Sequence, residues 1–296
     1  MAQQIPVDQN AVIPDESDGV HEVSPTVAYQ RTAIVNVMYV GPPGAPDRGW
    51  VLIDAGVTGY ASRILATAKT RFGDASRPAA ILLTHGHFDH VGVLESLAET
   101  WDVPVYAHPL EHPYLDGRSS YPPPDPTVGG GMMAKLSGLY PRGPIDLGPR
   151  LKALPEDGTV PHLPGWAWLF TPGHTPGHVS FWQPRERTLI AGDAVITTQQ
   201  ESAYAVMTQR PELHGPPRYY TPDWVASKAS VERLAALQPE RLVTGHGPAL
   251  EGAAMRTALA ALARDFDRVA VPDEGRYVPE PARADAGGVT YVPPKP

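Results

Sequence analysis

Three histidines and one aspartate fall within six residues directly after a short apolar run. No other feature constrains the fold of this chain as strongly. The segment THGHFDH occupies residues 84–90 and follows a predicted strand at 80–84. In a turn from a strand to a helix, residues two apart can converge on one point while the next two face a second point. Imidazole nitrogens and a carboxylate oxygen suit zinc or iron. The segment therefore predicts a metal site rather than a surface cluster of histidines.

Three more polar residues follow predicted strands further along the chain. They are His174 in FTPGHTPGH, Asp193 in LIAGD and His246 in VTGHG. Each is flanked by glycine, which permits the tight backbone turns that a crowded site needs. The chain contains no cysteine, which excludes disulfides, thiolate ligands and a cysteine nucleophile. Histidine and carboxylate groups must therefore hold any metal.

The remaining sequence predicts short elements joined by proline-rich loops. Proline contributes 35 of 296 residues, far above its usual share of about 5%. Residues 1–30 are predicted to be an irregular lead-in, and 31–270 to form the main domain. Two long loops are expected at 109–165 and 195–220. The proline-rich tail, 271–296, could pack on its own domain, cover a neighbouring molecule or hang free.

The hydrophobic patterns predict the individual elements of the main domain. Strands are expected at 33–40, 50–54, 80–84, 103–107, 167–170, 178–182, 188–191 and 241–244. Helices are expected at 58–72, 92–100, 222–237 and 249–269. The last helix but one has a strong start signal, because Thr221 is followed by proline at the first helical position.

Charge and hydropathy limit the expected partners. The formal net charge is 24 − 32 = −8, which disfavours binding to nucleic acid or to an anionic membrane. No apolar run approaches the roughly 20 residues of a membrane span. The first residues lack a basic stretch followed by an apolar one, so no signal peptide is predicted. We expect a cytoplasmic protein that acts on a small molecule, with its oligomeric state left open.

The order of these motifs resembles the metallo-β-lactamase fold superfamily. HxHxDH, TPGHTPGH, GD and GHG follow one another as in that family, over roughly residues 31–250. The earlier segment LIDAG, residues 52–56, is similar to the family's strand-end Asp-x-Gly. The resemblance implies an α/β (α+β) chain folded as a four-layer αβ/βα sandwich. Its metal site would lie at one edge, between two sheets.

The resemblance also implies a role for each polar residue of the motifs. All seven candidate ligands carry over: His85, His87 and His174 for a first metal, Asp89, His90 and His246 for a second, and Asp193 as a bridge. Asp54 is expected to orient a ligand or the turn, and His178 to pack behind the site. The cofactor would be two divalent metal ions. Zinc is the first expectation, with iron, manganese and cobalt left open.

The implied activity is hydrolysis. Two metal ions about 3.5–4 Å apart can share a water and lower its pKa, so a bridging hydroxide could attack an ester, lactone or thioester carbonyl. Asp89 would orient that hydroxide and act as the catalytic carboxylate. The alternative is an oxidoreductase similar to the mononuclear iron persulfide dioxygenases. A β-lactamase is less favoured, because the class without a cysteine ligand lacks a bridging aspartate. A complete set of seven ligands argues against a non-catalytic binding module.

Two subfamilies resemble the chain in part. Glyoxalase II-like thioesterases share the ligands, but this chain has only about fifty residues after His246 in place of their helical domain. Lactonases carry a tyrosine three residues after the bridging aspartate, where this chain has Ile196. Tyr204, Tyr219 and Tyr220 are candidates to replace it, and the other substrate-binding residues are unknown. Aromatic residues of the two long loops could form an apolar wall that favours an acyl or lactone substrate.

Overall fold

Two β-sheets pack face to face in this protein, and each carries helices on its outer face. The structure is a computed structural model, and it describes residues 5–13 and 19–295. One sheet has seven strands in chain order, and the other has five. The arrangement is the predicted four-layer sandwich.

The elements are numbered in chain order. The strands are β1 (Ile5–Pro6), β2 (Val20–Ser24), β3 (Val27–Thr32), β4 (Val35–Val40), β5 (Val51–Ile53), β6 (Ile81–Leu82), β7 (Val105–Ala107), β8 (Leu151–Ala153), β9 (Ala167–Phe170), β10 (Val179–Gln183), β11 (Thr188–Ile190), β12 (Glu212–Leu213), β13 (Arg241–Val243), β14 (Leu250–Glu251), β15 (Arg283–Asp285) and β16 (Gly288–Tyr291). The helices are α1 (Ala61–Phe72), α2 (Leu94–Trp101), α3 (His112–Leu115), α4 (Met132–Leu136), α5 (Ala203–Thr208), α6 (Trp224–Ala236), α7 (Gly252–Arg264) and α8 (Phe266–Val269).

Strand β4 shows why four layers form. Its side chains alternate between the two faces of the seven-stranded sheet, as the pleat requires. Val37 and Tyr39 pack with helices α1 and α2. Met38 and Val40 belong to a second core, between the two sheets. A third core joins the five-stranded sheet, β14-β13-β11-β10-β9, to helices α6 and α7. Since both faces of each sheet are covered, the strands are apolar on both sides.

The parallel strand pairs bring the motif residues to one edge. Strands β5, β6, β7 and β8 run parallel to one another, and β11 runs parallel to β13. Their carboxyl ends therefore open on the same side of the sandwich. Asp54 follows β5, the segment 84–90 follows β6, Asp193 follows β11 and His246 follows β13. This topology brings together motif side chains that are spread over more than 190 residues of the sequence.

The predicted irregular lead-in is wrong for residues 20–30. Strands β2 and β3 form an antiparallel pair there and extend the seven-stranded sheet through β4. The polar residue Gln30 makes strand β3 hard to recognise in the sequence. In the structure its side chain is buried and hydrogen-bonded. It donates a hydrogen bond to Thr67 at 2.8 Å and accepts one from Tyr39 at 2.9 Å. Residues 1–4 and 14–18 of the lead-in lie outside the described residues.

The two long loops contain regular elements that the sequence did not reveal. The first, 109–165, contributes helices α3 and α4 and the sheet strand β8. The second, 195–220, contributes α5 and the short strand β12. The predicted helix 249–269 is also interrupted, because Asp265 leaves the helical conformation and pairs with Arg264 at 2.7 Å. Within the described part of the chain, no helix combines the length and apolar character needed to cross a membrane.

The C-terminal tail packs on its own domain. Strands β15 and β16 form a hairpin, and Tyr277 is buried among residues of the helix α6 and α7 core. The hydroxyl of Tyr277 donates to the carbonyl of Pro123 at 2.5 Å, and the backbone nitrogen of Arg276 donates to Asp125 at 2.6 Å. Of the three arrangements that the sequence allowed for this segment, the described residues adopt packing on the parent domain.

Candidate metal centre

The structure brings all seven predicted ligand side chains into one buried cluster. Three overlapping groups of donors each lie within 4.8 Å, and together they use every predicted ligand: His85, His87 and His174; His85, His90 and Asp193; and Asp89, His90 and His246. None of these side chains belongs to an exposed residue. Each is presented by the segment that follows a strand of one of the two sheets.

The first group consists of three imidazoles. The Nε2 atom of His85 lies 3.1 Å from Nδ1 of His87, and that Nδ1 lies 2.9 Å from Nε2 of His174. Three nitrogens so close together leave room for one central cation that all could contact. Three histidine ligands with an open fourth position are a known zinc arrangement.

The second group contains Asp89, His90 and His246. The Nε2 atom of His246 lies 3.6 Å from Oδ2 of Asp89. Asp193 faces both groups. Its Oδ2 atom lies 3.0 Å from Nε2 of His246 and 3.5 Å from Nε2 of His174, while Oδ1 lies 3.6 Å from Nε2 of His90. A carboxylate in this position can contact two cations at once.

Two donor atoms in the cluster are buried and have no hydrogen-bond partner among the described residues. They are Nε2 of His90 and Oδ1 of Asp193. Leaving buried polar atoms unpaired costs free energy, and most proteins avoid it. Both atoms point into the cluster, where a cation would satisfy them. The residues present therefore fit a centre of two divalent metal ions, formed from nitrogen and oxygen donors alone.

Burial keeps the three imidazoles of the first donor group neutral. It lowers the pKa of His87 to about 3 and, with the neighbouring histidines, holds the pKa of His85 and His174 well below the ordinary value. For His90 and His246 burial also acts to lower the pKa, but Asp193 and a second nearby carboxylate outweigh it and raise the pKa. For Asp193 burial acts to raise the pKa, but His246 and His90 outweigh it and hold the pKa well below its usual range. Neutral imidazoles and an ionised carboxylate are the forms that bind metal.

Asp54 fixes the orientation of His90. It is fully buried, and its Oδ2 atom lies 2.8 Å from Nδ1 of His90. The same carboxylate accepts hydrogen bonds from the backbone nitrogen of Thr84 at 2.8 Å and from its hydroxyl at 2.7 Å. With Nδ1 donating to Asp54, Nε2 of His90 presents its lone pair to the cluster. The carbonyl of Ile34 does the same for His246, at 2.6 Å from Nδ1.

His178 lies behind Asp193. Its Nε2 atom accepts a hydrogen bond from the backbone nitrogen of Asp193 at 2.9 Å. The Nδ1 atom therefore carries the proton and donates it to the hydroxyl of Thr171, 2.9 Å away. His178 contributes no atom to the three donor groups. It orients the backbone that presents the shared carboxylate, in addition to filling space.

Glu111 was missed by the sequence analysis, although it links the two histidine-bearing loops. Its Oε2 atom accepts from the backbone nitrogen of Gly86 at 2.9 Å and from the hydroxyl of Tyr121. Its Oε1 atom accepts from the hydroxyl of Thr175 and the nitrogen of Gly177, both at 2.8 Å. Burial raises the pKa of this carboxyl, and the hydrogen bonds act against that rise. The signal that could have identified Glu111 is its position just after β7, at the same sheet edge as the other motifs.

The three candidate substrate tyrosines lie in different environments. Tyr220 is next to the cluster, with its ring centroid 4.6 Å from that of His87. Tyr219 is buried beside it, at 5.0 Å between ring centroids. Tyr204 is 71% exposed on helix α5. A small cavity that contacts His87 and His174 is walled by Tyr220 together with Tyr121 of the first long loop and Tyr277 of the tail, which were not among the three candidates.

Comparison with known proteins identifies one family, several relatives and several similar solved structures. The family described as the metallo-beta-lactamase superfamily matches residues 31–246. "Probable metallo-hydrolase YflN" of Bacillus subtilis is 49% identical over 236 residues, which cover 80% of this chain and 89% of that protein. A hydroxyacylglutathione hydrolase of Bdellovibrio bacteriovorus is 27% identical over a stretch that covers 58% of this chain and 60% of that protein. The solved structure of TTHA1623 in a di-iron-bound form is 30% identical, with a TM-score of 0.50, and covers 82% of this chain and 98% of its own.

Proposed function

We propose a specific reaction for this chain, which belongs to the metallo-β-lactamase superfamily and is a metal-dependent hydrolase. The proposed reaction is hydrolysis of an ester, lactone or thioester bond in a small molecule. The observation that carries it is the convergence of seven buried donors in two groups that share Asp193. Such a centre serves hydrolysis because both the attacking and the leaving atoms can be stabilised at once.

Each group of donors has a proposed part in this reaction. His85, His87 and His174 would hold one ion, and Asp89, His90 and His246 the other, with Asp193 shared. When bound, the two ions would supply hydroxide near neutral pH and polarise the substrate carbonyl. Asp89 would orient the attacking water through its carboxylate. Asp54 and His178 would hold His90 and the backbone of Asp193 in place through the hydrogen bonds described above.

The surroundings of the cluster favour an uncharged substrate. Beside His87 and His174 the cavity is lined by tyrosines and prolines, with no lysine or arginine among the described lining residues. Such a wall offers apolar surface and a few hydroxyl groups but no counter-ion for an anionic substrate. We assign zinc as the native metal, because histidine nitrogen and carboxylate oxygen suit it. The related TTHA1623 was solved with two irons, so iron is the competing assignment.

Metal content and activity test this proposal together. The protein, purified without chelator or an immobilised-metal column, is expected to contain about two equivalents of metal per chain by elemental analysis. It is then assayed with aryl esters, lactones, thioesters that include a hydroxyacylglutathione, and a β-lactam. Two metals with ester, lactone or thioester hydrolysis support the proposal. One iron per chain with oxygen consumption in the presence of a persulfide would replace it by an oxidoreductase.

A further inference from the structure

A groove of about 330 Å³ lies beside the loop that carries His174. It shares three wall residues, Pro122, Pro176 and Pro222, with the small cavity that contacts His87 and His174. The lining also includes Gly173 and Thr175, which flank His174, so the groove adjoins the loop that presents this donor. The volume is at the lower end of the range of roughly 300–1,000 Å³ for small-molecule sites.

We propose that this groove binds the apolar acyl chain or lactone side chain of the substrate, and that the C-terminal tail forms its outer wall. The inference rests on the proposed hydrolase function and narrows its substrate class. We call the site the acyl groove and define it by Pro122, Pro176, Pro222, Ala226, Ala282 and Ala284. All six side chains are small or apolar, and the prolines have no backbone N–H to leave unpaired.

The charged and polar side chains of the groove are already occupied. Asp223 caps helix α6 by accepting from the nitrogen of Ala226 at 2.9 Å. Arg283 pairs with Glu280 at 2.9 Å. The hydroxyl of Thr175 donates to Glu111. Both charged side chains of the described lining already have a protein partner, so a charged group of a ligand would have to compete with that partner. The groove therefore fits an uncharged chain better than the charged glutathione part of a thioester.

The outer wall is held firmly enough to serve as a binding surface. The nitrogen of Ala282 donates to the carbonyl of Pro222 at 3.0 Å, which joins the tail to the start of helix α6. Tyr277 and Arg276 attach the same tail to the loop at 123–125, next to Pro122. Both long walls of the groove are thereby fixed to each other. A preformed apolar groove binds a chain at a lower cost in conformational entropy than a mobile one.

Ala226 offers a direct test, because it lies in the groove and helix α6 has a matched control. Ala226 is half-buried at the groove wall, whereas Ala229, one turn along, is exposed and does not line it. Ala226→Phe would fill the groove, and Ala229→Phe would place the same ring in solvent. A second filling variant, Ala284→Phe, comes from the opposite wall and guards against a folding defect in the first.

The experiment measures kcat/KM of the metal-loaded enzyme for nitrophenyl esters from acetate to octanoate. We expect kcat/KM to rise about fourfold with each added methylene until the groove is full. In Ala226→Phe and Ala284→Phe the ratio of hexanoate to acetate should fall at least tenfold, while Ala229→Phe keeps the wild-type ratio. An unchanged ratio in both filling variants would overturn the acyl groove and leave the proposed hydrolase intact.

A binding measurement separates failure of the groove from failure of the proposed function. If the wild type hydrolyses none of these esters, the hydrolase proposal fails for this substrate class, but the groove can still be examined. Calorimetric titration with hexanamide, which is uncharged and resists hydrolysis, should show binding to the wild type and to Ala229→Phe. Binding to Ala226→Phe should be at least tenfold weaker. No binding, or equal binding to all three proteins, would refute the groove.

Discussion

The carboxylate of Glu111 lies 2.9 Å from the backbone nitrogen of Gly86, the residue between His85 and His87. Its other oxygen lies 2.8 Å from the nitrogen of Gly177, three residues after His174. One buried side chain thus joins the two loops that supply the three imidazoles of the first donor group. The separation of these loops is set by a residue that contributes no donor to the cluster itself.

Glu111→Ala should therefore weaken both the fold and the first metal site. Two buried backbone N–H groups would lose their acceptor, at about 1–3 kcal/mol each, so the free energy of unfolding should fall by about 2–6 kcal/mol. Urea unfolding measures this loss, and a competitive metal titration measures affinity. Glu95→Ala, at an exposed position of helix α2, is the control. Unchanged stability and metal affinity in Glu111→Ala would show that the link between the loops is dispensable.

Asp54→Asn should loosen the second metal more than the first. The substitution removes the charged acceptor that orients His90 but leaves all seven donors in place. Loss of such a partner typically costs 10–100-fold in metal affinity, roughly 1–3 kcal/mol. A titration with a chromophoric chelator should resolve one weakened and one retained equivalent. Asp157→Asn, at an exposed turn, should behave as the wild type, and equal affinity for both equivalents in Asp54→Asn would contradict the prediction.

Removing individual donors should give different metal contents. Asp193 faces both groups, so Asp193→Ala is expected to lose tight binding of both ions and to abolish turnover. His85→Ala should likewise abolish tight metal binding and turnover, since the His85 donor belongs to the first group and also lies within 4.8 Å of the donors of His90 and Asp193. His246→Ala affects only the second group and should retain about one equivalent. Elemental analysis of each variant, with circular dichroism to check folding, decides the matter. Two equivalents in Asp193→Ala would refute a shared carboxylate.

The stability of the protein should fall in mild acid partly through His108. Its ring stacks on Phe170 with 4.6 Å between centroids, and its Nδ1 atom accepts from the nitrogen of Leu110. Burial, with His112 nearby, lowers the pKa of His108 to about 4, whereas the unfolded chain has about 6.5. Between these values the unfolded state binds more protons, so acidification favours unfolding.

This effect on stability can be isolated with one substitution. The contribution is complete above pH 6.5 and is lost as the pH falls toward 4, by about 1 kcal/mol once solvent screening of the half-buried ring is allowed for. His108→Phe keeps the stacking and removes the titration, so its unfolding free energy should depend less on pH in this window. Urea unfolding at several values between pH 7 and pH 4 provides the measurement. Parallel curves for variant and wild type would show that His108 does not titrate as described.

Much of the metal cluster could be predicted from sequence because its information is local. Most donors lie within a few residues of a strand end and beside a glycine, as in LIAGD and VTGHG, and Asp89 and His90 belong to the same short segment as His85 and His87. One short segment of sequence determines both the type of side chain and the turn that presents it. The sequence also excluded thiolate ligands outright, since the chain has no cysteine. Strands such as β9, β10 and β11 could be predicted for the same reason, from short apolar runs.

What only the tertiary structure decided depends on contacts between distant residues. Gln30 can be buried in a strand because Thr67 and Tyr39 form hydrogen bonds with its side-chain amide. No local sequence pattern predicts those two partners. Glu111 resembles any loop glutamate until the fold places Gly86 and Gly177 around it. The proline-rich tail becomes a wall of the acyl groove only because Pro222 and Pro123 offer it carbonyl oxygens. Side-chain chemistry is local, whereas burial and hydrogen-bond pairing are properties of the whole fold, so the sequence determined the donors and the tertiary structure determined what surrounds them.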